Sequence, residues 1–151
     1  MGAAAILSVS QPQAALADES EVPEELRALQ VTAFDVTLGR NELFTITPST
    51  LTMIRGRAYR INLHNASQTT RHFYSAPAFA AVVSGGTRTA TIISVQSCTP
   101  MVEARGAIKE IALNPGARAT WFLIAPNTLD SYTVSCTTHG GGMKQTINVT
   151  A

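Results

Sequence analysis

Tyr132-Thr133-Val134-Ser135-Cys136-Thr137-Thr138-His139-Gly140-Gly141-Gly142-Met143-Lys144-Gln145-Thr146-Ile147-Asn148-Val149 decides how the chain is read. Its two ends alternate apolar and polar residues, the period of a half-buried strand. Between them lie Cys136, His139 and Met143, which bring a thiol, an imidazole and a thioether into eight residues. The rest of that loop is two threonines and three glycines, small enough to let the chain turn tightly and aim several side chains at one point. Thiolate, imidazole and a weak thioether together suit copper that cycles between Cu(I) and Cu(II). A second imidazole is missing from the loop and must come from elsewhere.

The chain has 151 residues, the size of one domain with a core. Charged residues are 14% and the net charge is +1, which predicts neither a nucleic-acid partner nor a polybasic membrane contact. The abundance of Thr and β-branched residues leans toward sheet.

Residues 1–17 are apolar and small and end in Ala15-Leu16-Ala17, a pattern like the remainder of a secretory signal, although the first basic residue is Arg27. They are too short and too interrupted, by Gln11, Pro12 and Gln13, to span a membrane. The expectation is export, to a bacterial periplasm, with a disordered N-terminal segment. Residues 18–28 read as an acidic linker or a short helical turn, and residues 29–151 as the domain.

Within the domain, alternation predicts a strand from Leu29 through Asp35 and strand pieces at Phe44–Pro48 and Leu51–Ile54. Further strands are predicted over Tyr59–Leu63, Ile108–Leu113, Arg118–Ile124, Tyr132–Cys136 and Thr146–Val149. Turn signals separate them at Gly39-Arg40-Asn41, Arg55-Gly56-Arg57, Asn114-Pro115-Gly116 and Pro126-Asn127. Residues 78–83 read as a short helix or an edge strand, and residues 87–106 carry the weakest pattern, with strand character from Thr89 to Val95. Seven or eight short strands with little helix predict an all-β, Greek-key sandwich.

The missing imidazole is His64 or His72. His64 lies on the outward face of a regular strand, the setting of an ordinary surface histidine. His72 follows the polar loop 65–71 where the chain re-enters a strand. Loops cluster at the ends of a sandwich, so this loop and the one around residue 138 can meet. Phe73 and Trp121 are expected in the core; Tyr74 is open between core and surface.

Taken together, the Pro48…Leu51…Gly56…Tyr59-Arg60-Ile61-Asn62-Leu63-His64-Asn65 run, the His72-Phe73 pair, the Asn114-Pro115-Gly116 turn and the Cys136–Met143 loop resemble the cupredoxins, the blue copper proteins such as plastocyanin, pseudoazurin and azurin. The resemblance covers roughly residues 30–150. It implies one type 1 copper held by His72, Cys136, His139 and Met143, with Met143 as the weak axial ligand. It also implies an electron port around the C-terminal histidine, formed here by Thr137, Thr138 and Gly140 to Gly142, with Phe73, Tyr74 and Pro77 as further candidates. The Cys-x2-His spacing is that of plastocyanin and pseudoazurin; the His-x3-Met spacing is one residue shorter.

The function so implied is a monomeric periplasmic electron carrier, not an enzyme, with transient redox partners such as a cytochrome or a copper oxidoreductase. Three other readings stand beside it. One is a copper chaperone or resistance protein using the same ligands without redox turnover. Another is an enzyme domain such as a copper nitrite reductase, which needs histidines this chain lacks. The last is a metal-free sandwich closed by a Cys98–Cys136 disulfide, since two cysteines are present.

Overall fold

The structure, a computed structural model, describes residues 15–16, 22–84, 92–95, 102–105 and 108–151. The strands are β1 (Ala15–Leu16), β2 (Val31–Leu38), β3 (Ile46–Thr47), β4 (Thr50–Ile54), β5 (Ala58–Asn65), β6 (His72–Ser75), β7 (Ile92–Val95), β8 (Val102–Arg105), β9 (Glu110–Leu113), β10 (Arg118–Ile124), β11 (Ser131–Ser135) and β12 (Lys144–Thr150). One helix, α1 (Pro77–Ser84), follows β6. The strands form two sheets. The first runs β1-β2-β5-β10-β7-β8, with β3 also on β2; the second runs β4-β12-β11-β6-β9.

The expected β-sandwich is thus present, with more strands than the turn signals resolve. β1 and β3 have two residues each, too few to show a period, and β7 and β8 fall in the stretch of weakest pattern. Residues 78–83 are helical, within α1, where Ala and the N-terminal Pro77 outweigh the two valines. The strand expected over Phe44–Pro48 shrinks to β3, leaving Phe44 in the preceding loop. Residues 1–14, most of the expected leader, lie outside the described residues, as does Cys98. The two described leader residues, Ala15 and Leu16, pair with Ala33 and Thr32 of β2. Residues 22–28 hold a 3-10 turn whose Val22 and Leu26 are buried with Val31, Ala58 and Phe122 in a small second cluster.

The main core lies between the sheets. Strand alternation supplies it: β5 contributes Tyr59, Ile61 and Leu63, β10 Ala119, Trp121 and Leu123, and β12 Ile147 and Val149. Trp121 is buried packing, as expected, in edge-on contact with Tyr74 and Phe79. In β6, His72 and Tyr74 face inward while Phe73 is only half-buried. Phe73 therefore differs from the expectation of a core residue: once His72 points in, the period of two turns Phe73 out, where the Arg71 guanidinium lies over its ring at 5.2 Å.

A buried polar chain ties the second sheet together. The Tyr74 hydroxyl donates to Gln145 Oε1 at 2.6 Å, and Gln145 Nε2 donates to the Pro48 carbonyl at 2.7 Å. Burial pushes the Tyr74 pKa far up, so the phenol stays neutral and keeps donating. This chain fixes β6, which carries His72, against β12, which closes the Cys136–Met143 loop.

Candidate metal centre

Cys136 is the first residue past β11, and Met143 the last before β12. The two strands pair in register through Ser135 and Lys144, so the loop is the turn of a hairpin. The Cys136 N–H donates to the Met143 carbonyl at 3.1 Å and shuts the loop at its base. The Cys136 carbonyl then accepts from the N–H groups of His139 and Gly140, at 3.2 and 3.1 Å, which folds the chain back on itself. Gly140 has φ +48, a left-handed conformation that costs glycine nothing, and it begins a 3-10 turn through Gly142. This turn swings His139 back over Cys136.

His72 arrives on the other side. It opens β6 and pairs with Leu113 of β9. Asn65, fully buried at the end of β5, governs its approach. The Asn65 Nδ2 donates to the carbonyls of Thr70 and Leu113, both at 2.9 Å, and its Oδ1 accepts from the Ser67 N–H at 3.0 Å. Within the loop, the Ser67 hydroxyl accepts from the Thr70 N–H at 2.8 Å. The loop before His72 therefore has little freedom.

His72, Cys136 and His139 meet with their ligand atoms all within 4.8 Å of one another. Both imidazoles turn Nδ1 to the sulfur: Cys136 Sγ lies 3.9 Å from His72 Nδ1 and 3.3 Å from His139 Nδ1. Cys136 is a free thiol with no exposed surface, and His72 is 1% exposed. The Phe73 N–H donates to Sγ at 3.3 Å, and the Thr138 hydroxyl lies 3.5 Å from it. Burial, and after it the nearby His139, hold the His72 pKa below its ordinary value; the attraction of Glu42 opposes this more weakly. A neutral imidazole, the form that binds a metal, is favoured.

The donor set fits one first-row metal ion. Bonds of about 2.0 Å to nitrogen and 2.3 Å to sulfur in a trigonal plane separate N from S by about 3.7 Å, between the two distances observed. Two imidazoles with a thiolate in a buried plane suit copper in both oxidation states. Met143 is fully buried in the same apolar cluster as Cys136, and the shortened His139–Met143 spacing leaves the hairpin register intact. His64 is elsewhere, on β5 opposite Arg118 and Thr37, and takes no part. Among the described residues no second group of this kind is present. No helix among them is long and apolar enough to cross a membrane.

Three residues around the centre escape a reading of the sequence. Gly39 has φ +68, and a Cβ there would lie 2.5 Å from His72 Nε2. Glu42 accepts from Ser67 Oγ and the Gln68 N–H, both at 2.6 Å, and from Thr69 Oγ1 at 3.0 Å. Phe44 stacks on the His139 ring, with centroids 4.1 Å apart and planes 16° from parallel. Only the turn signal at Gly39 marked this loop. The outer loop is also less neutral than expected, because the Thr137 hydroxyl donates to the Glu110 carboxylate. Thr137, Thr138 and Gly140 to Gly142 are exposed, whereas Tyr74 is buried and is not part of that surface.

No family model matches the chain, and no curated protein matches it. Solved structures do. Auracyanin A, a "blue" copper protein from Chloroflexus aurantiacus, is 16% identical, with 80% of this chain and 99% of that chain covered and a TM-score of 0.52. Dithionite-reduced auracyanin from Roseiflexus castenholzii is 16% identical over 79% of this chain and 97% of that one, with a TM-score of 0.51. The McoA multicopper oxidase of Aquifex aeolicus is 20% identical, with a TM-score of 0.59; 86% of this chain matches 31% of that one. The fold of residues 31–150 is therefore the cupredoxin β-sandwich.

Proposed function

We propose that this protein is a one-electron carrier built on a single type 1 copper site, with His72, Cys136 and His139 as the strong ligands and Met143 as the weak axial one. The observation that carries this reading is the convergence of two Nδ1 atoms on a buried thiol. Copper supplies the one-electron couple when bound. The chain's part is to hold the donors still and dry. Cys136 binds as thiolate, and the Phe73 N–H donating to its sulfur draws off electron density and tunes the potential. His72 is fixed by β6 and by the Asn65-held loop, so little reorganises on electron transfer. No carboxylate joins the ligand group to serve as an acid or base, which favours a carrier over an enzyme.

Residues 1–17 support export to a bacterial periplasm, with 18–28 as a linker and 29–151 as the working domain. Partners in this reading are transient redox proteins such as a cytochrome or a copper oxidoreductase, met by a monomer.

Titration of the metal-free protein with Cu(II) tests the reading. One equivalent is expected to develop an intense visible thiolate-to-copper band and a matching paramagnetic resonance spectrum, with reversible voltammetry. Tight Cu(I) binding with sluggish voltammetry would instead indicate a chaperone. A Cys98–Cys136 disulfide in non-reducing mass spectra of the isolated protein would sink the metal site altogether.

A further inference from the structure

We propose that the loop of residues 39–45 is a clamp on the non-ligating sides of both imidazoles, and that Phe44 is the residue that positions His139. The proposal rests on the reading of His139 as a ligand.

His139 lacks other support. It sits between two exposed threonines and three exposed glycines, and nothing approaches within 4 Å of where a Cβ would stand on Gly140, Gly141 or Gly142. Its ring contacts among the described residues are the edge of His72, with centroids 5.1 Å apart, and the face of Phe44. Phe44 also meets His72 edge-on at 6.3 Å and 76°. One phenyl ring thus touches both imidazoles. It does so while remaining 54% exposed, so core burial does not explain its place.

The loop that carries Phe44 is built to stay put. Its ends are closed by the Gly39 N–H donating to the Thr45 carbonyl at 3.0 Å. Inside it, the Glu42 and Leu43 N–H groups donate to the Gly39 and Arg40 carbonyls. Asn41 and Glu42 are left-handed, with φ 55 and 58, a conformation that non-glycine residues hold only where their surroundings impose it. The surroundings here are the three hydrogen bonds to the Glu42 carboxylate, all from the loop that delivers His72. At the other end, Gly39 lies against the Nε2 edge of His72, so that Nδ1 is the nitrogen left facing Cys136. The loop therefore bears on the Nε2 edge of one histidine and the face of the other. These are the surfaces a metal bound at Nδ1 leaves free.

Two variants test the role of Phe44. Phe44→Leu keeps an apolar side chain and removes the ring; Phe44→Tyr keeps the ring. In the metal-free protein, the His139 ring protons of the wild type and of Phe44→Tyr are expected to show an upfield ring-current shift and sharp lines. In Phe44→Leu the shift disappears and the lines broaden. In the copper-loaded protein, release of copper to a chelator accelerates about 2- to 10-fold in Phe44→Leu, the size expected of one aromatic stack, and returns to the wild-type rate in Phe44→Tyr. Unchanged His139 signals in Phe44→Leu would overturn the proposal. So would lost signals with unchanged release, or failure of Phe44→Tyr to rescue. Failure of the wild type to bind copper is a different result: it removes the metal reading, while the metal-free spectra still decide the clamp.

Discussion

His72 and His139 belong to one centre and are held by opposite means. His72 is a strand residue, fully buried, paired in a sheet and preceded by a loop that Asn65 and Ser67 immobilise from inside. His139 is a turn residue on a run of threonine and glycine, partly exposed, and the ring that steadies it comes from a loop nearly a hundred positions away in the chain. One half of the centre is a by-product of the sandwich. The other half is an addition at its rim, and its geometry depends on a few side chains that contribute nothing to the core. A rigid site thus needs a rigid fold only on one side.

Substitutions that attack the shared thiol, then each half in turn, separate these contributions. Cys136→Ser removes the donor common to both and is expected to abolish the thiolate-to-copper band entirely, read by visible spectroscopy of the reconstituted variant. Gly39→Ala strikes where the rim loop meets the buried half. The new methyl requires a left-handed alanine and displaces the His72 ring, so a stability loss on the order of 3 kcal/mol is expected in urea unfolding, together with an altered copper resonance spectrum. Asn65→Ala acts from inside and leaves the carbonyls of Thr70 and Leu113 and the N–H of Ser67 without this partner. A loss of about 2 kcal/mol in the same assay is expected.

Glu42→Gln addresses the link between the halves through its pH dependence. Hydrogen bonds from the Gln68 N–H and the Ser67 hydroxyl hold the Glu42 pKa below its ordinary value of 4.5. A carboxylate depressed on folding adds stability that is present above the unfolded value and lost as pH falls through the folded value. The wild-type melting temperature should therefore fall more steeply below pH 4.5 than that of Glu42→Gln, and the two slopes should agree above it. An equal acid slope in both proteins would show that Glu42 does not couple the loops. His64→Ala is expected to leave the copper spectrum unchanged, the smallest effect of the set; a lost spectrum would mean that the second imidazole had been misassigned.

Legibility in the sequence follows the same division. Cys136, His139 and Met143 are readable because they lie within one hairpin turn, and strand periods flank them. His72 is readable only through topology, as the histidine that stands where a sandwich brings two loops to one end. The clamp is not readable, since each of its residues acts across a distance that no local pattern spans. Glu42 bonds to residues 25 to 27 positions on, and its left-handed backbone has no signature in a glutamate. Phe44 alternates with Ile46 and so mimics a strand residue, yet the pairing of β2 with β3 begins only at Ile46, and the ring is free to reach His139. Phe73 misleads for a related reason: an aromatic in a strand suggests core, but the inward turn of His72 takes the core-facing register.

The pairing of β4 with β12 has a consequence for how the protein is made. The two strands run parallel, Thr50 beside Thr146, and Gln145 reaches the carbonyl of Pro48 across 97 residues. Contacts between such distant positions form late, because a long loop must close before they return anything. The final strand is also the one that shuts the thiol's hairpin. A nascent chain thus carries an uncovered cysteine until its last dozen residues have been synthesised and docked. Copper delivered earlier would find at most a single donor, so loading of this centre belongs after completion of the chain.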